Sequence, residues 1–359
     1  MTRVAVVHDW LTGMRGGEAV LEGILEVVPE ADLFTLFHFP GSVSKAIESR
    51  SIHTSHLQSM AARARDYRHL LPLFPHAVRR WDFSSYDLIV SSSHCVAKGI
   101  NARGKPHLSY SHTPMRYIWD RFDDYFPRSS PLRRAAAVSV APWLRRWDVE
   151  TAGEVTAFVA NSRFVQDRIR RYYRRESEII HPFVDDAFLE APLATVRDDY
   201  HIVVSALVPY KRVDLAVDAV IASGRRLVIV GGGPLLEKLR QRSGPNVELM
   251  GSVSRDRIVE RLGRARSLIL PGVEDFGITP LEAMALGTPV VALGTGGVLD
   301  TVVNGQTGIF FDRPEVEPLR RALDDVEGRT WDRQALRTHA AGFSRRRFHD
   351  AMSAAIERL

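Results

Sequence analysis

The stretch Ser267-Leu268-Ile269-Leu270-Pro271-Gly272-Val273-Glu274-Asp275-Phe276-Gly277-Ile278-Thr279-Pro280-Leu281-Glu282-Ala283-Met284, which runs on to Val290-Val291-Ala292-Leu293, decides the fold. Its short apolar runs predict buried strands over 267–270 and 290–293. Between them, a loop of Pro and Gly gives way at Thr279-Pro280 to a helical pattern. Thr279 at the N-cap, Pro280 at N1 and Glu282 at N3 predict a capping box. Strand, short loop, helix and strand make a βα unit, because parallel neighbours need a crossover between them.

Working outward, the same alternation fills the chain. In the second half, strand-like runs at 201–207, 227–230 and 247–250 come first, with helices starting near Val213, Leu235, Arg255, Pro280 and Val298. In the first half, strands are predicted at 4–7, 33–37, 88–92, 107–111 and 157–160, and helices at 18–28, 55–68, 132–150 and 163–173, the last capped by Ser162. The acidic segment 185–199, with Pro192 and no periodicity, reads as a linker. The expected domains are therefore 1–190 and 191–344, with 345–359 as a final helix that packs back on the first domain. A chain of 359 residues suits two such domains. The fold class is α/β, with two facing doubly wound sheets and an inter-domain cleft. Chemistry belongs on loops that follow strands.

The hydrophobic fraction of 45% and charged fraction of 25% are those of a globular chain. No apolar run reaches the roughly 18 to 20 residues of a membrane span. Residues 3–7 enter a strand pattern at once with no leader, so the expected location is the cytoplasm, with peripheral contact at the inner face of the membrane as an extension. The single cysteine, Cys95, excludes a disulfide framework and a multi-cysteine metal site. A net charge of +5 points to an anionic partner (nucleotide diphosphate, membrane surface or nucleic acid) or to a plain solvated basic face.

The unusual residues fall where that fold puts chemistry. Glu274 and Glu282 are acceptors matched to vicinal hydroxyls of a sugar or ribose, although a helix cap accounts for Glu282 equally well. A pair of acids also suits a glycosidase, but the sequence sets no carboxylate separation. Leu11-Thr12-Gly13-Met14-Arg15-Gly16-Gly17 links a strand to a helix and suits a diphosphate, or an ordinary tight turn. Lys211-Arg212 stands after the 201–207 strand, where a cation can offset charge on a leaving diphosphate. Gly294-Thr295-Gly296-Gly297 offers further N–H groups or a plain turn. His112 ends a strand. Asn161-Ser162 lies on another strand-to-helix turn, where capping accounts for Ser162. No Asp-X-Asp occurs, and the histidines lack metal-binding spacing, so neither metal nor cofactor is expected.

The run Glu274 to Ala292 resembles the glutamate-pair motif of family 4 retaining glycosyltransferases, which have the GT-B architecture of two facing Rossmann-like domains. The resemblance extends over nearly the whole chain. It is closest to bacterial mannosyltransferase-like members of surface-polysaccharide pathways, through His8-Asp9-Trp10-Leu11-Thr12-Gly13-Met14-Arg15-Gly16-Gly17-Glu18 and Ser111-His112-Thr113-Pro114-Met115-Arg116-Tyr117. It implies that Glu282 binds ribose and Glu274 the donor sugar, with Phe276, Gly277, Ile278, Gly297, Gly16, Gly17 and Arg212 also on the donor. It places His112 near the reactive carbon and Lys211 on the diphosphate. Asp9, Arg116 and Tyr117 are acceptor-side candidates. Where the family usually has an arginine, this chain has Ala206. The implied partners are a nucleotide-sugar donor, GDP-mannose first, and a glycan or lipid-linked acceptor.

Arginine pairs with tryptophan at 131–147 and 76–81 suit contact with anionic lipid, or an ordinary helix with a solvated arginine face. Among rivals, an oxidoreductase lacks the third glycine of its fingerprint, because Pro234 follows Gly231-Gly232-Gly233. An epimerase or phosphorylase would share the fold. A nucleic-acid-binding protein would explain the charge but leave the paired glutamates without purpose, so no nucleic acid is expected.

Overall fold

The computed structural model describes residues 2–63 and 67–359. The chain forms two compact units, one running to His181 and resumed at Phe348–Leu359, the other Pro182–Arg347. Among the described residues the first holds a seven-stranded sheet and the second a six-stranded sheet, with all pairings parallel.

In the first unit the strands are β1 (Val4–His8), β2 (Asp32–Thr35), β3 (Ile52–Thr54), β4 (Leu88–Ser93), β5 (His107–Ser111), β6 (Ala157–Ala160) and β7 (Glu178–Ile179), in the order β3-β2-β1-β4-β5-β6-β7. In the second they are β8 (His201–Val204), β9 (Leu227–Val230), β10 (Val247–Gly251), β11 (Leu268–Leu270), β12 (Val290–Leu293) and β13 (Gly308–Phe311), in the order β10-β9-β8-β11-β12-β13. Each sheet reverses direction once, between β1 and β4 and between β8 and β11. Ligands of open parallel sheets bind beyond the strand ends at that reversal.

The apolar runs are explained by burial on both faces. Along β9, Val228 and Val230 pack into one core while Leu227 and Ile229 pack into the other. Each such side chain contributes about 1.5–3 kcal/mol. Short strands escaped the sequence reading: β3, β7 and β13 have few residues each and lie toward sheet edges.

Four expectations need correction. The helix after β11 spans Ile278–Ala285 with Gly277 as N-cap, so Thr279 is no cap and no capping box forms. Gly277 takes φ +90°, which a residue with a side chain rarely adopts, and this lets the chain turn into the helix early. The segment at 185–190 is not linker: Asp185 caps the helix Asp186–Glu190, and Phe188 is buried in the second unit's core. The units therefore divide at His181/Pro182 rather than at 190. The helix expected over 55–68 is a short one, Gln58–Arg63; residues 64–66 lie outside the described residues, and Tyr67–Leu73 is a 3-10 turn. The 132–150 helix is longer than expected, at Pro131–Ala152.

At the other end, the helix Arg345–Glu357 carries Phe348–Leu359 into the first unit. There the Phe348 ring, 2% exposed, lies 5.9 Å from that of Tyr110.

Candidate active site

In the second unit, the loops after β8 and β11 flank the reversal. The first ends in the 3-10 turn Pro209–Lys211, and Arg212 follows with φ +52° before the helix Val213–Ser223. A left-handed non-glycine residue is strained, and such strain concentrates at functional loops. Lys211 Nζ donates to the Glu274 carboxylate on the neighbouring loop, and both side chains are partly buried. Arg212 is more exposed and reaches Asp214 at 3.4 Å.

The Glu274 loop is held by its backbone. Gly297 N–H donates to the Glu274 carbonyl at 2.8 Å, and Glu274 bridges Gly296 in parallel. A Cβ on Gly297 would lie 2.2 Å from Asp275 O and 2.4 Å from Phe276 Cα. Gly297 is thus required for close backbone packing. Its N–H is already committed, which corrects its assignment as a diphosphate donor. The Phe276 ring is buried in the core, 6.2 Å from Phe343, so this residue shapes the loop rather than offering its side chain to a ligand. Gly277 and Ile278 open the helix, on which Pro280, Leu281, Ala283 and Met284 are buried.

Glu282 lies on this helix and is partly buried. Among the described residues its carboxylate accepts no hydrogen bond. Burial pushes its pKa up to about 7; Asp185 adds to the rise and Arg255 opposes it. Those two groups pair with each other at 2.9 Å. A carboxylate with unused acceptor capacity is suited to ligand hydroxyls.

In the first unit, β1 ends in His8 and Asp9 follows. Asp9 is fully buried. Its Oδ2 accepts from the N–H groups of His94 (2.7 Å) and Cys95 (2.9 Å), and its Oδ1 from Val96 (2.7 Å) and Ala97 (2.8 Å). His94 Nδ1 stands 3.1 Å from Oδ2 as well. Burial, then the neighbouring His8, pushes the His94 pKa down to about 3 against the pull of Glu18, so the ring is neutral. Asp9 therefore fixes the loop after β4 and has no capacity left for an acceptor, contrary to its assignment.

Tyr117 is corrected likewise. Its ring packs against the core and its hydroxyl is bonded to Cys95 Sγ, while burial pushes its pKa well above the usual value. Arg116, at the start of the helix Arg116–Trp119, is partly exposed.

Gly16 and Gly17 form the first turn of the helix Gly16–Val27, where backbone N–H groups lack intrahelical acceptors. Glu18 Oε2 accepts from Arg15 N–H at 3.0 Å, closing that end. A Cβ on Gly17 would lie 4.0 Å from His112 Cε1, so the glycine turn faces the histidine. His112 follows β5 and is 9% exposed. Its N–H donates to Ser93 O at 2.8 Å, its carbonyl accepts from Asn161 Nδ2 at 3.0 Å, and its Nε2 lies 2.8 Å from Ser92 Oγ. Ser162 caps the helix Arg163–Tyr173 as expected.

The structure thus brings Lys211, Glu274 and its glycine partners together in one unit, and Gly17 with His112 in the other. Sequence reasoning missed Ser92 and His94. The signal was there: Ser91-Ser92-Ser93-His94 ends a fully buried strand with polar residues that packing alone does not require.

Comparison with known proteins agrees. Residues 33–188 match the family model described as Glycosyltransferase Family 4, and residues 186–341 that of Glycosyl transferases group 1. The GDP-mannose-dependent alpha-(1-6)-phosphatidylinositol monomannoside mannosyltransferase of Mycolicibacterium smegmatis is 32% identical over 203 residues, covering 48% of this chain and 53% of that protein. Its Mycobacterium tuberculosis counterpart is 36% identical over 177 residues, covering 42% and 46%. The chain spans about half the length of these curated relatives. The crystal structure of Anabaena Alr3699/HepE in complex with UDP superposes with a TM-score of 0.73 at 17% identity, covering 100% of both chains, which shows a shared fold. The chain belongs to the family 4 glycosyltransferases and has their GT-B fold of two Rossmann-like domains.

Proposed function

We propose that the chain is a retaining, metal-independent glycosyltransferase. It moves a hexose, mannose in the first instance, from a nucleotide diphosphate sugar to a glycan or lipid-linked acceptor of cell-surface polysaccharide synthesis. The observation that carries this reading is the Lys211–Glu274 pair on the two loops flanking the reversal of the second sheet. A cation and a carboxylate already paired there are positioned to separate onto the diphosphate and the sugar hydroxyls of one donor. Glu282, with unused acceptor capacity, takes the ribose. Gly16 and Gly17 present N–H groups and the positive end of a helix dipole to the phosphates. Arg212 takes the place of the family arginine that is Ala206 here.

Retention follows if the leaving phosphate oxygen accepts the acceptor's proton on the face it departs from. Lys211 then stabilises the charge left on the diphosphate, and His112 faces the positive charge building at the sugar carbon. The mannosyltransferase relatives support GDP-mannose as the donor. Arg116 is the remaining acceptor-side candidate.

The test is a thermal-shift panel of GDP, UDP, ADP and their sugar conjugates with EDTA present, followed by turnover. One nucleotide should raise the melting temperature selectively. Glu274→Ala should lower turnover by about 10²-fold or more with little change in melting temperature. Full activity of that variant, or strict dependence on added metal, would defeat the proposal.

A further inference from the structure

The pairing of β5 with β6 ends at Ser111 and Ala160. One residue further on, Asn161 Nδ2 donates to the His112 carbonyl at 3.0 Å. A carbonyl only accepts, so the amide turns its NH2 end to it and its Oδ1 away. Asn161 is buried, and among the described residues its Oδ1 meets no hydrogen-bond donor. A buried acceptor without a donor is costly, and a leucine of similar size would avoid that cost. Packing therefore does not account for Asn161. Nor does capping, since the cap of the helix Arg163–Tyr173 is Ser162, whose side chain accepts from Val165 N–H.

We propose that Asn161 is a positioning residue for His112 in glycosyl transfer. The inference rests on the reading of His112 as the group facing the reactive carbon. A side chain leaves the main chain in a direction set by the two peptide groups that flank its Cα. At His112 the preceding peptide is tied through its N–H, which donates to Ser93 O at 2.8 Å. The following peptide is tied through its carbonyl, to Asn161. With both flanks held, the imidazole starts from a fixed point, and its Nε2 stands 2.8 Å from Ser92 Oγ.

Asn161 is itself fixed. It leaves β6 where Ala160 pairs with Ser111 on one side and Ile179 on the other, and its main-chain carbonyl lies 3.0 Å from His181 Nδ1. From the helix that follows, Arg168 donates to Thr113 Oγ1, and to Asp120 Oδ1 at 2.6 Å. The chain after β5 thus leans twice on the segment after β6. The Arg168 contacts hold the loop beyond His112, whereas Asn161 acts on the peptide of His112 itself. A misplacement of about 1 Å at a reacting group costs on the order of 10²-fold in rate. Loss of the Asn161 bond should therefore appear in kcat. The donor contacts assigned to Lys211, Glu274 and Glu282 belong to the other unit, so KM for the nucleotide sugar should change little.

The experiment is a mutant cycle in the full chain. Asn161→Leu keeps the size and removes the donor, and Asn161→Ala is a second variant that cannot overfill the site. Each is made alone and with His112→Gln, and kcat, KM for the nucleotide sugar and melting temperature are measured. Each Asn161 variant alone should lower kcat by about 10²-fold with KM little changed. Added to His112→Gln, it should cause no further loss. A residue acting only through the fold would lower kcat by the same factor in both backgrounds. That outcome overturns the proposal, as does native kcat in both folded Asn161 variants. Unfolding of both would also overturn it, by assigning Asn161 to the fold alone. Undiminished turnover in His112→Gln would instead overturn the role of His112, whatever the Asn161 variants show.

Discussion

Glu282 shows how one side chain sets stability against binding. Its pKa of about 7 in the folded chain lies above the usual 4.5, so the folded state holds the proton more tightly than the unfolded one. Stability is therefore lost as pH rises from about 4.5 to about 7, and the loss is complete above that window. Glu282→Gln should be more stable than the native chain by about 1–3 kcal/mol at pH 8, with the difference closing toward pH 4.5. Denaturant melts at the two pH values check this. Nucleotide binding should move the other way. Ribose hydroxyls favour the ionised carboxylate, so affinity should fall below pH 7 in the native chain, and the variant should bind weakly at every pH. A parallel loss of stability and binding in the variant would show that Glu282 serves the fold.

At the scale of elements, the site is made by loops that lean on one another. Gly297→Ala would place a methyl group 2.2 Å from Asp275 O, with the backbone unable to yield cheaply. It should destabilise the chain by about 1–3 kcal/mol, as overpacking does, and weaken donor binding by displacing Glu274. Calorimetry and nucleotide titration read the two effects separately, and near-native values for both would contradict the close packing. These elements also mark how far the sequence could be read. Strands such as β9, apolar throughout, and the helix start at Ser162 were legible because burial and capping leave local patterns. The Asp186–Glu190 helix was not legible, since so few residues carry no periodicity. Thr279-Pro280 misled because Gly277 could open the helix earlier, a backbone event that Thr-Pro-x-Glu does not report. The candidate site was legible where loops carry charge, as at Lys211 and Glu274. It was not legible where function depends on what a buried strand residue touches: Asp9 and Tyr117 were placed on the acceptor, yet their polar atoms are spent inside the fold, while Ser92 went unnoticed.

At the scale of the molecule, the net charge of +5 has a local counterpart in the helix Pro131–Ala152. Leu132 is 86% exposed, and Val138 and Trp143 are about half exposed, beside the exposed Arg133 and beside Arg146, which pairs with Glu150 at 2.7 Å. Arg134 is tied to Asp123 at 2.6 Å and Arg145 to the Ile118 carbonyl at 2.6 Å. The second basic cluster is less available, since Trp81 packs against Phe34 and Arg79 pairs with Glu154 at 3.0 Å. Among the described residues no helix is long and apolar enough to cross a membrane. We propose that the exposed apolar and basic side chains of this helix rest on anionic lipid, which would bring a lipid-linked acceptor within reach. Co-sedimentation should occur with anionic vesicles, fall with salt and weaken in a Leu132→Ser/Trp143→Ser double variant. Equal recovery with neutral vesicles would remove the proposal.

The return of Phe348–Leu359 to the first unit has a consequence for biosynthesis. The second unit is one uninterrupted stretch and can close as soon as it leaves the ribosome. The first is begun earlier but finished later: until the last dozen of these residues have been made, the surface around Tyr110 waits for Phe348. The unit translated first is therefore completed last, and a chain interrupted anywhere in the second unit would leave an apolar patch on the first, open to chaperones and to aggregation.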